Sequence, residues 1–197
     1  MPNTHRYISK QISQKQYFND VLSRINKDIY PYVDLIREHI KASQEGIGNF
    51  SLARMIFPVI EAVARPLGKT PQQLMHELRV PYPYLCWSMY RDGFTHNDEF
   101  ISAEYSEGPD IHSAYPSIVL GVEGHIITHS VHGNQVVISL MKLLEDLRSY
   151  VERNIPETDR QITITQKIEY FMPNASGTLS ENEEEVKNII GEIKELG

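Results

Sequence analysis

The chain has 197 residues, a length that suits one domain with a sizeable core. Hydrophobic residues make up 41% of the chain and charged residues 23%, the balance of an ordinary soluble globular protein. The net charge is −7, and no cluster of Lys and Arg stands out. Proteins that bind a nucleic-acid backbone usually carry a basic face, so binding to nucleic acid would require a local positive site on this acidic surface.

Two further features concern location and redox chemistry. No apolar run is long enough to cross a bilayer, and the polar N-terminal stretch lacks the apolar centre of a signal peptide. The single cysteine, Cys86, cannot form an intrachain disulfide, and its apolar neighbours indicate a buried free thiol. We therefore expect a cytoplasmic protein with no membrane contact.

The first third of the chain has the apolar spacing of helices. One apolar stripe begins at Tyr17 and continues past Pro31 to Ile40. It predicts either one long helix kinked at Pro31 or two helices that share a corner. Ser51 is expected to cap the next helix, with Pro58 inside it as a second kink.

Two more helices follow in the predicted order. In the stretch GKTPQQ, Thr70 is expected to cap a helix, Pro71 to take its first position and Gln73 to complete a capping box. The stretch VPYPYLCWSMY then predicts a fourth helix, which begins near Pro83 and ends near Gly93.

The apolar period changes in the second half of the chain. The stretch SIVLGVEGHIITHSV reads as two short strands around Glu123 and Gly124, which predicts a β-hairpin near residues 117–132. Asn134 is expected to cap a long helix that stops before Pro156. The two strands would then form a small insert in a helical protein.

The C-terminal part, residues 156–197, is predicted to contain one strand and one helix. The stretch QITITQKIEYF alternates like a strand, although the sequence shows no partner for it. Ser180 and Glu183 form a capping box for the last helix. The fold class predicted for the whole chain is mainly α (α+β), an up-and-down helical bundle with a β-hairpin insert and this accessory strand and helix.

The stretch MYRDGFTHNDE is the part of the sequence that most clearly suggests chemistry. Arg91 and His96 are five residues apart, so on an unbroken helix they would point about 140° away from each other. Gly93 can end the helix and let the chain turn back between them. Arginine offers a fixed cationic fork for phosphate, and histidine exchanges protons near neutral pH. Together the two can support metal-free phosphodiester cleavage.

This pattern resembles the Arg-polar-x-x-x-His motif of the HEPN superfamily, whose members are all-α nucleotide-binding and ribonuclease domains. The matching residues are Arg91, Asp92 and His96. The resemblance extends over roughly residues 12–155, where an apolar helix leads into the motif and an amphipathic helix follows it. Residues 156–197 would then be accessory.

The resemblance implies a symmetric homodimer in which two copies of the motif face each other and form one ribonuclease site. His96 would act as general acid and base, Arg91 would stabilise the charge on the phosphate, and Asp92 would orient one of them. Tyr90, directly before the motif, would contact the substrate. The implied ligand is RNA or a nucleotide, and no metal or other cofactor is required.

A second hypothesis is a metal site, because histidine and carboxylate side chains are the ligands that zinc, manganese and iron favour. On one strand His125 and His129 would share a face, while His132 would lie on the other. The alternative ligand set contains two residues of the motif region and two of the hairpin: His96, Asp98, His125 and His129. Asp92, Glu99 and His112 are further candidates of the same chemical type.

A third hypothesis is a protein that only binds other proteins. Aromatic residues are common at interfaces, and four of them cluster around the fourth helix, although the same spacing also suits a core: Tyr82, Tyr84, Trp87 and Tyr90. The C-terminal helix, beyond a linker, would pack either on its own chain or on a protein partner.

Overall fold

The structure is a computed structural model that describes residues 6–43, 49–91, 102–107, 109–121, 126–129 and 135–168, with Asn188 and Gly191. It mixes helices and strands, so the predicted α+β class is confirmed. Within these residues no helix is both long and apolar enough to span a membrane.

The secondary structure alternates between helical and extended regions. The α-helices are α1 (Gln14–Arg24), α2 (Tyr30–Ser43), α3 (Asn49–Ala64), α4 (Pro71–Glu77), α5 (Pro83–Cys86) and α6 (Leu140–Arg153). Two π-helical segments follow α1 and α5, at Ile25–Ile29 and at residues 87–91, and a 3₁₀ turn follows α3 at Arg65–Leu67. The strands are β1 (Arg6–Ser13), β2 (Ala103–Glu107), β3 (Asp110–Val119), β4 (Ile126–His129), β5 (Gln135–Ser139) and β6 (Gln161–Ile168).

Helices α1 and α2 are continuous through the π-helical segment Ile25–Ile29, which lies just before Pro31. The amide of Tyr30 donates to the carbonyl of Ile25, five residues back. Proline has no amide hydrogen, and in an α-helix its ring collides with the carbonyl four residues earlier. The sequence predicted a kink or a corner at Pro31, and the structure has this wider turn directly before it.

Helix α3 begins at Asn49, so the prediction that Ser51 caps it is wrong. Ser51 lies in the first turn, whereas Asn49 is buried and its side-chain amide donates to the carbonyl of Ile118 at 3.3 Å. This contact joins the start of α3 to β3. Pro58 lies inside the helix, as predicted.

The capping box at the start of α4 is confirmed. The Thr70 hydroxyl accepts a hydrogen bond from the amide of Gln73 at 3.2 Å, and the Gln73 side chain accepts one from the amide of Thr70 at 2.8 Å. Pro71 occupies the first helical position. Helix α5 begins at Pro83, as predicted, and Gly93 lies outside the described residues.

The predicted hairpin near residues 117–132 does not form, although both of its segments are strands. The sheet has the order β2-β3-β5-β4, so β5 lies between β3 and β4. Strand β3 runs parallel to β5, and β4 runs antiparallel to it. Four of the five residues of β5 are buried, and a strand with so little exposed surface is favoured at the centre of a sheet.

The start of α6 also differs from the prediction. Asn134 lies outside the described residues, and residues Gln135–Ser139 form strand β5 rather than the first turns of the helix. Three consecutive β-branched residues, Val136 to Ile138, favour the extended conformation. The cap of α6 is Ser139, whose hydroxyl accepts from the amide of Lys142 at 3.4 Å. The helix stops at Arg153, before Pro156 as predicted.

The predicted C-terminal strand is confirmed as β6, and its partner is β1. The two pair antiparallel in a separate ribbon, from Arg6 opposite Ile168 to Ser13 opposite Gln161. The ribbon links the start of the described chain to the segment 156–197. Of the predicted C-terminal helix, only Asn188 and Gly191 are described, both as helical, so its role stays a prediction.

The helical core and the four-stranded sheet meet at Tyr90, which is fully buried. Its hydroxyl lies 3.0 Å from the carbonyl of Ser117 in β3 and 2.5 Å from that of Val136 in β5. The single phenolic proton is therefore directed at two carbonyls of neighbouring parallel strands. Burial raises the pKa of this hydroxyl well above 10.0, which keeps it protonated and able to donate at neutral pH.

We predict that Tyr90→Phe lowers the free energy of unfolding by about 1–3 kcal/mol, because two strand carbonyls lose a buried donor. Tyr84→Phe is the matched control, since the Tyr84 side chain is exposed, and it is expected to change stability by about 0.5 kcal/mol or less. Urea denaturation of both variants measures the difference. Equal stability of the two would contradict the bridging role of Tyr90.

Candidate functional site

Arg91 is the motif residue that the structure describes, and it lies at the end of the π-helical segment 87–91. This segment continues α5, which begins after Tyr82, a residue in the left-handed region with φ 49°. The amide of Cys86 donates to the carbonyl of Tyr82 at 2.9 Å and closes the first turn. Cys86 is buried, as predicted, and its thiol lies 3.3 Å from the carbonyl of Pro81.

The guanidinium of Arg91 lies between an aromatic ring and a carboxylate. Its central carbon is 5.7 Å from the centroid of the Trp87 ring, within the range of a cation–π interaction. Its Nη2 is 3.5 Å from Oε2 of Glu61, at the long limit of a hydrogen bond. The Arg91 side chain is 25% exposed, so it lies at the edge of the core with access to solvent.

Glu61 holds a second arginine more closely than it holds Arg91. Its Oε1 accepts from Nη2 of Arg65 at 2.9 Å, four residues later in the 3₁₀ turn that follows α3. Glu61 therefore lies between two cations, and the shorter contact is the one with its neighbour in sequence. Partly exposed pairs of this kind contribute little to stability because water screens them.

The Trp87 ring beside Arg91 belongs to a row of three aromatic rings. The ring centroid of Phe57 in α3 lies 5.9 Å from that of Trp87, in an edge-to-face arrangement, and 6.2 Å from that of Tyr90, on which it stacks. Since Tyr90 is fully buried and bonded to the sheet, it has no surface for a substrate. The substrate-binding role expected for Tyr90 therefore finds no support in its position.

The other motif residues, Asp92 and His96, lie outside the described residues, as do Asp98 and Glu99. The arrangement of Arg91 with His96 therefore stays a prediction. Sequence reasoning named Arg91 but missed both partners. Trp87 is four residues earlier, a spacing that puts it on the same helical face, whereas Glu61 comes from another helix and leaves no local signal.

The metal hypothesis also depends mainly on residues outside the description. His125 and His132 lie outside it, while His112 and His129 are described only as backbone positions on β3 and β4. His125 and His129 were expected to share a face of one strand; His129 ends β4, so this expectation about His125 stays a prediction. Among the side chains that are described, no group of three or more His, Cys, Asp or Glu could hold a metal ion.

A second polar cluster, which sequence reasoning missed, joins the start of α4 to the end of α6. The ammonium of Lys69 lies 2.7 Å from the Glu77 carboxylate and 2.9 Å from the Tyr150 hydroxyl. That hydroxyl in turn donates to Glu77 at 2.6 Å. The hydrogen bond from Lys69 lowers the pKa of Glu77, and the hydrogen bond to Glu77 raises the pKa of Lys69.

Three comparisons, with protein-family models, with curated proteins and with solved structures, find no match for this chain. The resemblance to the HEPN superfamily is thus carried by the motif residues and their setting.

We predict that Glu61→Gln lowers the free energy of unfolding by less than about 1 kcal/mol, because the pairs it removes are partly exposed. Trp87→Ala is expected to cost about 3–5 kcal/mol, because it opens a cavity beside Phe57. Denaturant titration of both variants tests whether the aromatic packing beside Arg91 contributes more to stability than the ion pairs of Glu61. A larger loss in Glu61→Gln than in Trp87→Ala would contradict this order.

A second prediction concerns pH. Because the pKa of folded Glu77 lies below its usual value of 4.5, its contribution to stability is present above pH 4.5 and is lost as the pH falls through the folded pKa. Glu77→Gln should therefore flatten the loss of melting temperature below pH 4.5. Glu145→Gln, on the exposed face of α6, is the control and should keep the wild-type pH dependence. Identical profiles for the two variants would rule out the linkage.

Proposed function

We propose that this protein is a HEPN-like domain that binds RNA or a nucleotide through phosphate and cleaves RNA without a metal ion. The proposal includes an up-and-down arrangement of its helices and a homodimer with two facing motifs. The observation that supports it is the position of Arg91, whose guanidinium is partly exposed at the end of a π-helical segment and is backed by the Trp87 ring.

Arg91 can exchange its contact with the Glu61 carboxylate for a phosphate, because Glu61 would keep another cationic partner. Its contact to Glu61 is long, at 3.5 Å, while Glu61 keeps Arg65 at 2.9 Å. A phosphate offers the guanidinium two parallel charge-assisted hydrogen bonds, which are stronger than this single long contact. The Trp87 ring fixes the plane of the guanidinium, so less rotational freedom is lost when the phosphate binds.

The proposed chemistry divides between the motif residues. His96 takes the proton of the attacking 2′-hydroxyl or gives one to the leaving oxygen, and Arg91 stabilises the negative charge that develops on the phosphate. Asp92 orients one of them. The dimer brings two copies of each group to one cleft, which gives an acidic chain a local concentration of positive charge.

A second candidate function, protein binding without catalysis, is favoured by the outer face of β3. Ile111 and Tyr115 are 69% and 50% exposed, and their spacing of four puts both side chains on the same face of the strand. Large apolar side chains that share one exposed face of a strand favour a protein-binding site. The helix predicted from residue 180 onwards is the other candidate surface for a protein partner.

The test of the ribonuclease proposal is cleavage of a mixed-sequence RNA by the purified protein in excess EDTA. Cleavage should survive EDTA, fall by about 100-fold or more in His96→Ala, and fall strongly in Arg91→Gln. Arg148→Gln is the matched control, because it removes a partly exposed guanidinium that pairs with Glu152 rather than with Glu61, and it should keep wild-type activity.

Three outcomes would count against the proposal. Loss of cleavage in EDTA would favour the metal site, and equal losses in Arg148→Gln and Arg91→Gln would indicate a general charge effect. Absence of both cleavage and RNA binding would favour the protein-binding alternative. Binding is measured through Trp87, the single tryptophan of the chain, because a phosphate at Arg91 should change its emission.

A further inference from the structure

We propose that a cavity between the end of α4 and the outer face of α6 binds the phosphate group of a small phosphorylated molecule. The cavity has a volume of about 470 Å³, and the residues that line it are Glu77, Leu78, Arg79, Lys142, Asp146 and Arg153. This volume is in the range of small-molecule sites in proteins. The site is separate from the motif, and the proposal does not depend on ribonuclease activity.

The charge of this cavity is opposite in sign to that of the chain. Three cations and two carboxylates line it, which gives a net charge of +1 on a chain of −7. Both carboxylates already have cationic partners: Glu77 lies 2.7 Å from Lys69, and Asp146 lies 2.6 Å from Lys142. The field inside the cavity is therefore set mainly by Arg79 and Arg153.

Neither of these two arginines forms an ion pair with a carboxylate anywhere in the described part of the chain. Arg153 extends the last turn of α6, and Arg79 follows α4. Two guanidiniums on facing elements can each offer a phosphate two parallel hydrogen bonds. A phosphate is thus a better match than a single carboxylate, which has fewer acceptor oxygens to share between two arginines.

The backbone of Arg79 is a second, independent observation. Helix α4 ends with the amide of Arg79 bonded to the carbonyl of His76 at 2.9 Å and the amide of Val80 bonded to that of Met75 at 3.0 Å. This is the Schellman motif, in which the position of Arg79 adopts the left-handed conformation and is usually glycine. Arg79 has φ 60°, which costs a side chain other than glycine about 1–2 kcal/mol.

A strained arginine at a position that suits glycine indicates that its side chain is needed there. The side chain lines the cavity and makes no ion pair within the described residues, so no ion pair among them offsets the strain. The bound anion supplies the missing partner. The same two amides, of Arg79 and Val80, cap the last carbonyls of α4, so these carbonyls are not left open towards the anion.

A small molecule fits this site better than a nucleic acid. A polymer would bring many phosphates close to a chain of charge −7, whereas a small molecule brings one phosphate to a cavity of about 470 Å³. The phosphate could come from inorganic phosphate or from a phosphorylated metabolite. The experiment therefore uses inorganic phosphate and adenosine 5′-monophosphate as separate probes.

The test combines isothermal titration calorimetry with thermal unfolding of the full chain. At tenfold excess over the dissociation constant, phosphate should raise the melting temperature by about 2–5 °C, beyond the effect of sodium chloride at equal ionic strength. Tighter binding of the nucleotide than of phosphate would identify a phosphorylated metabolite as the ligand. Equal affinity would identify phosphate itself.

Two variants locate the site. Arg153→Gln and Arg79→Gly should each weaken phosphate binding at least tenfold, and Arg79→Gly should do so while keeping or raising the melting temperature of the free protein, because glycine relieves the strain. Arg148→Gln is the matched control, since Arg148 lies on α6 but pairs with Glu152 at 3.0 Å and should not affect binding.

The proposal is overturned if sodium chloride reproduces the thermal shift, or if Arg148→Gln weakens binding as much as Arg153→Gln. Binding that stays at the wild-type level in Arg79→Gly also overturns it. Binding of single-stranded RNA with none of either probe would show that this cavity does not take a small phosphorylated ligand.

Discussion

The buried hydroxyl of Tyr90 fixes where the helical part of the molecule meets the sheet. Its proton reaches carbonyls of β3 and β5, and its ring stacks on Phe57 in α3. One side chain therefore joins α3, from the first half of the chain, to two strands from the second half. It cannot turn without losing a buried hydrogen bond. Because Tyr90 points inward, the next residue, Arg91, lies at the boundary of the core, where its side chain is 25% exposed.

The features that the sequence predicted correctly are those with local causes. The capping box of Thr70 and Gln73 is specified by groups three residues apart, and the alternation of β6 shows in eight consecutive residues. Strand pairing has no such local code. The start of α6 illustrates this: Asn134 is a good helix cap by type, but Val136 and its neighbours form a strand at the centre of the sheet, and the helix begins only after Ser139.

The same division applies to the candidate sites. Arg91 can be found from the sequence because its motif is contiguous, whereas Glu61 reaches it only through the packing of α3 on the end of α5. The cavity beside α4 is invisible in the sequence for a different reason. Net charge is a sum over the whole chain and does not show where charges cluster. Arg79 and Arg153 lie far apart in the sequence, so no run of basic residues indicates the local positive charge.

The two π-helical segments have different origins, and the difference bears on the motif. The first, Ile25–Ile29, lies directly before Pro31, whose ring and missing amide hydrogen disfavour a regular α-helical turn there. The second, residues 87–91, has no proline in the five residues that follow it. Such wide turns are rare in proteins overall, but those that occur are often found at functional sites. The extra residue in the turn rotates the side chains that follow it.

In the second segment three side chains have separate requirements. Trp87 packs on Phe57, Tyr90 reaches the sheet, and Arg91 must still reach the surface beside Glu61. Trp87 and Arg91 are four residues apart and contact each other, while Tyr90 between them bonds to the sheet. The segment therefore places Arg91 at the edge of the core with its guanidinium beside the Trp87 ring.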